Sequence, residues 1–330
     1  MQILTKLNRF LERIIPLLTP GSVVIGVLAA ETLQAYAFLS AWVFAFMTFS
    51  GSLGASFRDF ARVLARPLPL IVNLVILHAL MPFLAWVTAS LFFPNELDIV
   101  TGFILAAVIP TGVSSLLWTS IYMGNMALTL SIILIDTVLS PLVVPLGLSL
   151  ILGAAVQMEL GEMMKGLLLM IVLPSLAGIA LNQLTKGRVK TTLAPCLAPF
   201  SKLSMGVIVA INSSVVAPYI SQIDGRLIGM AALVLFLSVL SYLTGWVVAR
   251  IFGWKRDVIV TLTFNSGMRN IGAGTVIAIA YFPPLVALPV VLATLFQQSL
   301  AAFFGLFLRM VEKEDKHVRS EEQLPDAIGK

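Results

Sequence analysis

The sequence predicts an all-α membrane protein with ten transmembrane helices, arranged as two inverted five-helix repeats in which helices 4 and 9 are broken. Three observations support this fold class: an apolar composition, a series of long uncharged segments, and a pattern that recurs at a fixed offset. The chain is 59% hydrophobic and only 11% charged, with a mean hydropathy of +1.00. Because soluble domains carry about 25% charged residues, the composition excludes a soluble fold.

Ten segments are apolar and have about the 20 residues that cross a hydrocarbon core roughly 30 Å thick. The connectors between them are short, and the charged segment after residue 311 is expected to be a flexible cytoplasmic tail. We therefore divide the chain into a first repeat at 1–154, a second at 155–311 and a tail at 312–330. The predicted spans are 14–30, 35–54, 68–92, 99–123, 126–154, 163–184, 199–220, 227–252, 257–281 and 284–308.

Most of the 21 basic residues fall in alternate connectors, for example Arg58, Arg62 and Arg66 after the second span. Basic residues mark the cytoplasmic side, which places both termini in the cytoplasm. The basic N-terminal segment has no small-residue cleavage site, so we do not interpret it as a signal or transit peptide. We expect a multi-pass protein of a bacterial inner membrane. Orientation accounts for the basic pI of about 9.5, and no nucleic-acid partner is expected.

The internal repeat is carried by WVTASLF at 86–92 and WVVARIF at 246–252, an offset of 160 residues. At the same offset, Gly112 matches Gly272. The two motifs fall in the third and eighth predicted spans, which are separated by five crossings of the membrane. An odd separation gives the two halves opposite directions, and inverted repeats of this kind are typical of secondary transporters.

The fourth and ninth spans both contain helix-breaking residues near their centres. The fourth reads AAVIPTGVSSLLW at 106–118, where Pro110 removes a backbone donor; the ninth reads TFNSGMRNIGAGTV at 263–276, with three glycines. Unwound backbone at membrane depth is tolerated only where protein or a wet cavity satisfies it. The ends of the half-helices then present amides to an anion and carbonyls to a cation. Both segments are therefore predicted to line a transport site.

Arg269 lies inside the ninth span, where a charged side chain costs about 2.5–3.5 kcal/mol on insertion scales. It should face the protein interior and have a partner there. Asp136, in the fifth span, is an acidic residue at comparable depth, and one interpretation is an Arg269–Asp136 ion pair. In the alternatives Arg269 binds the carboxylate of a substrate, or it is a fixed cation where a metal ion would otherwise sit.

Other polar residues of the spans are candidates for the same site. His78, in the third span, is expected to be either an interhelical hydrogen-bonding group or a proton relay. Gln297 and Gln298 are adjacent in the tenth span, and the consecutive residues Asn212, Ser213 and Ser214 lie in the seventh. The predicted substrate-binding residues are Ser114, Ser115, Asn265, Arg269, Asn270 and Gln297.

Several function classes receive no support from the sequence. The single cysteine, Cys196, excludes an internal disulfide and a cysteine metal cluster. The chain has no zinc-protease pair, phosphate loop or nucleophile elbow. We therefore expect a protein that is not an enzyme and that has no cofactor and no bound metal cluster.

Three stretches give the chain a resemblance to the bile acid:sodium symporter family over most of its length: MPFLAW at 81–86, the segment 110–146, and GMRNIGAG…YFPPLVALP within 267–289. The resemblance implies ten spans in two inverted five-span repeats, with one group of helices forming a panel and the rest a core. It also implies that spans four and nine cross where they unwind. The implied activity is sodium-coupled uptake of organic anions, bile salts in animals and smaller carboxylates in bacteria.

The chain keeps the family's ion-site pattern at Ser115, Thr129 and Asn270 and departs from it elsewhere. Where the family has an acidic residue and a glutamine in span nine, this chain has Asn265 and Arg269. The chain has lost an acidic ligand here and has gained a fixed positive charge. Both changes disfavour a sodium ion at the site to which these two positions contribute in the family. Further departures are Leu77, Leu116 and Ile133. The candidate ion-coupling residues are therefore Asp136, His78 and Thr129.

Together these observations predict a secondary transporter that moves a small organic carboxylate across the bilayer by alternating access. Coupling to sodium, coupling to protons and uncoupled facilitation remain alternatives. Two other classes are a receptor or assembly protein that keeps the fold without transport, and an intramembrane enzyme that would use Asp136 and His78.

Overall fold

The computed structural model describes residues 2–55, 67–153, 159–220 and 224–322. Within these ranges the regular structure is helical, and one isolated antiparallel bridge is the exception. Six of the described helices are long and apolar enough to cross a membrane, and the number becomes seven if the bent pair Ala30–Tyr36 and Leu39–Ser52 is one span. The all-α membrane class is confirmed, whereas the count of ten stays a prediction. Arg58, Arg62 and Arg66 lie outside the described residues.

Twelve helices are used in the description that follows, each with the bounds that the structure gives. Helices α3 and α7 each include a π-helical turn, at Ile76–Leu80 and Leu168–Val172. The helices are α1 Gln2–Leu28, α2 Leu39–Ser52, α3 Leu68–Phe92, α4 Leu97–Val108, α5 Ser115–Ile121, α6 Met126–Leu152, α7 Leu160–Leu184, α8 Arg188–Ile220, α9 Gly225–Ile251, α10 Arg256–Gly267, α11 Ile271–Tyr281 and α12 Ala287–Glu322.

Three helices extend well beyond the predicted spans. Helix α1 begins at Gln2 rather than at 14, α8 begins at Arg188 rather than at 199, and α12 continues to Glu322 through most of the segment assigned to a flexible tail. The predicted limits follow apolar content, but helix formation does not require it: the glutamates and lysines after residue 311 have high helix propensity. Residues 323–330 of the predicted tail lie outside the described residues.

The helices form two packed groups. Helices α1, α2, α7 and α8 pack against one another, and α3, α4, α6, α9, α10 and α12 form the second group around the crossing. Close approach within the first group depends on small residues, as is common between membrane helices. A Cβ atom added to Gly26 of α1 would lie 2.2 Å from the carbonyl oxygen of Ala210 in α8. The backbones of α1 and α8 are therefore in contact at this point.

The predicted breaks in the fourth and ninth spans are present. Between α4 and α5 the chain is extended at Ile109, and between α10 and α11 it is extended at Met268. The two extended segments pair antiparallel through Thr111 and Arg269. The Gly112 amide donates to the Met268 carbonyl at 3.0 Å, and the Asn270 amide donates to the Pro110 carbonyl at 2.8 Å. The broken helices thus meet through their backbones in the middle of the second helix group.

We expect Gly26→Ala to lower the melting temperature of the purified protein in detergent, because the added methyl group has no room between α1 and α8. Overpacking of this kind costs about 1–3 kcal/mol. Gly21→Ala is the matched control, because it makes the same change in the same helix with no atom within 4 Å of the new Cβ. It gains about 1 kcal/mol of helix propensity. A melting temperature for Gly26→Ala at or above that of Gly21→Ala would contradict the contact.

Candidate functional site

The antiparallel bridge leaves one backbone N–H group of each bridge residue pointing away from the partner segment. The Thr111 amide donates to Asp136 Oδ2 at 2.7 Å, and the Arg269 amide donates to Gln297 Oε1 at 2.9 Å. Asp136 belongs to α6, which follows the first broken pair, and Gln297 belongs to α12, which follows the second. In each half of the chain, the outward-pointing N–H group is therefore satisfied by a side chain from the helix that follows the break.

Asp136 is fully buried and makes a second contact, 2.6 Å from its Oδ1 to Nε2 of His78. His78 lies in the π-helical turn of α3, and such turns often occur at functional sites. Its other ring nitrogen, Nδ1, is buried and has no hydrogen-bond partner. The interhelical hydrogen bond predicted for His78 is therefore formed, and its partner is Asp136.

The Arg269–Asp136 ion pair considered from the sequence is not formed. Both oxygens of Asp136 are taken, by His78 and by the Thr111 amide. Nη1 and Nη2 of Arg269 are buried and have no hydrogen-bond partner. The backbone bridge explains this arrangement, because it brings the Thr111 N–H rather than the guanidinium to the carboxylate.

A cavity of about 600 Å³, counting the open space at its mouth, lies beside the crossing. Helices α3, α4, α9 and α12 form its walls with apolar side chains that include Met81, Phe103 and Leu237. Its hydrogen-bonding side chains are Ser238, Ser241, Arg269 and Gln297. The cavity is therefore an apolar space with one polar, positively charged region.

Arg269 gives this region its chemistry. The residue is only 8% exposed, and two buried guanidinium nitrogens without partners are costly unless a ligand supplies the acceptors. A planar guanidinium forms paired hydrogen bonds with the two oxygens of a carboxylate. Gln297 holds the Arg269 backbone, so the cation is fixed at the edge of the cavity. The arrangement can bind a carboxylate that enters from the cavity.

A second polar cluster is buried on the other side of the bridge, at Asn265. Ser115 Oγ donates to Asn265 Oδ1 at 3.1 Å, and Asn265 Nδ2 donates to Thr129 Oγ1 at 3.2 Å and to the Thr261 carbonyl at 2.8 Å. A carbonyl oxygen can only accept, so Thr261 fixes which end of the amide is the nitrogen. The cluster satisfies its own donors and acceptors without a ligand.

The residues predicted to bind substrate are thus divided among four places: the cavity, the internal cluster and the starts of α11 and α5. Arg269 and Gln297 line the cavity, whereas Ser115 and Asn265 belong to the internal cluster with Thr129. Asn270 caps α11 by accepting a hydrogen bond from the Ala273 amide at 3.3 Å, and Ser114 precedes α5 and is absent from the lining. The sequence alone placed these residues together because it does not show which side of the bridge each one faces.

The other polar cluster considered from the sequence joins helices. Asn212 of α8 accepts a hydrogen bond from Ser40 of α2 at 2.9 Å, and Ser214 donates to its own helix at the Ile211 carbonyl. Neither side chain lines the cavity. The cluster packs α8 against its neighbours, as polar side chains often do between membrane helices.

Three residues of the site were not singled out from the sequence. Ser238 and Ser241 lie three residues apart on α9, on one helix face, and that spacing is a signal that could have identified them. Thr111 lies between a proline and a glycine and acts mainly through its backbone, for which the sequence carries no side-chain signal. Its hydroxyl also donates to the Asn265 carbonyl at 3.1 Å.

Broken helices that meet inside the membrane beside a polar cavity are characteristic of secondary transporters. Residues 41–223, more than half of the chain, match the Sodium Bile acid symporter family. The chain therefore belongs to this family, which confirms the resemblance found in the sequence. It is a multi-pass membrane transporter and not an enzyme.

Similar proteins include two from Bacillus subtilis strain 168. The uncharacterized protein YbaS is 48% identical over 297 residues, which is 90% of this chain and 97% of YbaS. The uncharacterized sodium-dependent transporter YocS is 26% identical over 271 residues, 81% of this chain and 83% of YocS. The probable sodium/metabolite cotransporter BASS1 of Arabidopsis thaliana chloroplasts is 26% identical over 261 residues, 78% of this chain and 63% of BASS1.

We expect Thr129→Val to reduce the free energy of unfolding by about 1–2 kcal/mol, because Asn265 Nδ2 loses one of its two acceptors in a buried cluster. Thr88→Val is the matched control, since the Thr88 hydroxyl donates only to carbonyls of its own helix, at Leu84 and Ala85. Thermal unfolding in detergent measures both. Equal melting temperatures for the two variants would show that the cluster does not stabilise the crossing.

Proposed function

We propose that this protein is a secondary carrier for a small organic anion and that the carboxylate of the substrate binds Arg269. The observation that carries the proposal is the buried guanidinium at the cavity edge, whose Nη1 and Nη2 have no hydrogen-bond partner. Its backbone is held by Gln297, whereas the hydroxyl groups of Ser238 and Ser241 already donate to the backbone carbonyls of Val234 and Ser266. A ligand without acceptor oxygens would leave these two buried nitrogens without hydrogen-bond partners.

The lining also indicates what the rest of the substrate should be. Away from Arg269 the walls are mainly aliphatic and aromatic, with Met81, Phe103, Val234 and Leu237 among them. Burial of an apolar body against such walls contributes roughly 25 cal/mol per Å². We therefore propose that the cavity binds a monocarboxylate with a small apolar body. A dicarboxylate should bind more weakly, because its second carboxylate would lie among apolar side chains.

The transport cycle that we propose is alternating access in a ten-span fold of two inverted repeats, at 1–154 and 155–311. The correspondence between the two breaks supports the repeats, because each is followed by a helix whose side chain accepts the outward N–H group of the bridge. The two helix groups supply bodies that can move against each other, with the cavity in the second group. The alternate positions of basic residues support cytoplasmic termini, and the similar proteins from Bacillus subtilis support a bacterial inner membrane.

Sodium is named in the family description and in the names of YocS and BASS1. At the crossing of this chain, the oxygen atoms around Asn265 are engaged in hydrogen bonds within the protein, and Arg269 carries a fixed positive charge. Hard cations need a shell of oxygen ligands. We therefore propose that Arg269, rather than a bound sodium ion, supplies the positive charge at the crossing.

We expect Arg269→Gln to reduce carboxylate exchange about tenfold to a hundredfold. A charge-assisted hydrogen bond contributes about 1.5–3 kcal/mol, and each 1.4 kcal/mol is a factor of ten in affinity. Exchange is measured as counterflow into liposomes of labelled 2-oxo acids with bodies of increasing size: pyruvate, 2-oxobutanoate, 4-methyl-2-oxopentanoate and phenylpyruvate. These acids stay ionised near neutral pH, so little neutral acid crosses the lipid.

Arg226→Gln is the control for loss of a positive charge, since Arg226 pairs with Glu96 outside the cavity. It should exchange at the wild-type rate. Arg269→Lys should retain part of the exchange because it keeps the charge and loses the planar fork. Wild-type exchange by a folded Arg269→Gln protein would remove Arg269 from the binding site and with it the observation on which the proposed function rests.

A further inference from the structure

The crossing holds two opposite charges that balance each other. Arg269 contributes one positive charge and Asp136 one negative charge, and the two interact electrostatically across the bridge although they share no hydrogen bond. A bound carboxylate adds a second negative charge to this buried region. An uncompensated charge in the interior is costly, so binding of the anion favours uptake of a cation at the same place.

The His78–Asp136 pair can take up that cation in the form of a proton. An ionised carboxylate can only accept hydrogen bonds, so His78 Nε2 is the donor in the 2.6 Å contact when Asp136 is ionised and the ring is neutral. The buried Nδ1 atom has no partner and is then a basic nitrogen with a free lone pair. Imidazole is the side chain that exchanges a proton most readily near neutral pH. The two groups bind this proton as a unit.

The other charged residues of the neighbouring helices lie too far from Asp136 to contribute to this proton site. The elements packed against α6 are α3, α4, α5, α7 and α10. Asp136 lies ten residues from the start of α6, about 15 Å along the axis at 1.5 Å per residue, whereas the other charges of these elements are near helix ends. Among the described residues of these helices and the bridge, His78 and Arg269 are therefore the titratable or charged groups that face Asp136. The remaining charged residues of the packed helices are Asp98, Glu162, Lys165, Arg256 and Asp257.

A short chain of contacts joins the pair to the substrate residue. Asp136 holds the Thr111 amide, Thr111 is paired with Arg269 in the bridge, and Arg269 faces the cavity. A change in the charge of the pair therefore acts on Arg269 both through space and through one backbone pairing. The same contacts tie the pair to the point where the two broken helices meet.

We propose that His78 and Asp136 form a proton-binding site and that the carrier moves one proton with each carboxylate, without sodium. The inference rests on the proposed function, since it assigns the coupling ion of the same site. The proton enters from the side at which the carboxylate binds, stays on the pair while the anion is held at Arg269, and leaves with it on the other side. One proton and one carboxylate make the transport electroneutral.

The test uses liposomes in sodium-free potassium buffer with a pH gradient, acidic on the side from which uptake is measured, and the same labelled 2-oxo acids. We expect the wild type to accumulate its substrate up to about tenfold for each pH unit, the limit for one proton per anion. A potassium diffusion potential should change this accumulation little. A sodium gradient without a pH gradient should produce none.

Two variants separate coupling from binding. In Asp136→Asn the amide oxygen can still accept from Thr111, so counterflow should persist while accumulation driven by the pH gradient is lost. His78→Gln removes the basic nitrogen and should behave in the same way, which keeps the test valid if one variant fails to fold. Glu162→Gln, at an exposed acidic residue outside the crossing, should match the wild type.

The inference would be overturned if accumulation required a sodium gradient and did not depend on the pH gradient. It would also be overturned if accumulation driven by the pH gradient persisted in both Asp136→Asn and His78→Gln. Either result leaves the proposed function standing, because counterflow is scored separately. A wild-type protein that shows no counterflow with any of the acids would overturn the proposed function and the proton coupling together.

Discussion

Backbone hydrogen bonding inside the membrane is the constraint from which the rest of the structure follows. A helix interrupted in the bilayer leaves N–H and C=O groups that lipid cannot satisfy. Here two interrupted helices satisfy each other, through one antiparallel pairing at Thr111 and Arg269. The two N–H groups left over need Asp136 and Gln297, and those contacts place an acid on one side of the bridge and fix a cation on the other.

The positions of the polar side chains can be understood from that pairing. Arg269, at the pairing itself, lines the cavity, while Asn265, in the preceding helix, closes a cluster with Ser115 and Thr129. The cavity is the proposed substrate site, the cluster ties α10 to the helices around it, and the His78–Asp136 pair lies next to the bridge. The residues proposed for substrate binding and for ion coupling are thus separate in space but connected through one backbone contact, the pairing of Thr111 with Arg269.

Much of the fold could be predicted from the sequence because hydropathy is a one-dimensional property. Most predicted spans agree with helices within a few residues, and the breaks were marked by Pro110 and by the glycines around Arg269. The site was harder to predict, because the sequence does not show toward which side of the bridge each side chain points. Arg269 and Gln297 line the cavity, whereas Ser115, Asn265 and Asn270 do not. The partner of Asp136 could not be derived, because it depends on the π turn that presents His78 and on the Thr111 amide.

The central claim is that a carboxylate bound at Arg269 disturbs a charge balance that the His78–Asp136 pair restores. Calorimetric titration of the purified protein with the best 2-oxo acid, in two buffers with different ionisation enthalpies, gives the number of protons taken up per bound anion. At a pH where the empty site is unprotonated, the account predicts one proton for the wild type and none for Asp136→Asn. Binding without proton uptake by the wild type at any pH between 6 and 8 would contradict it.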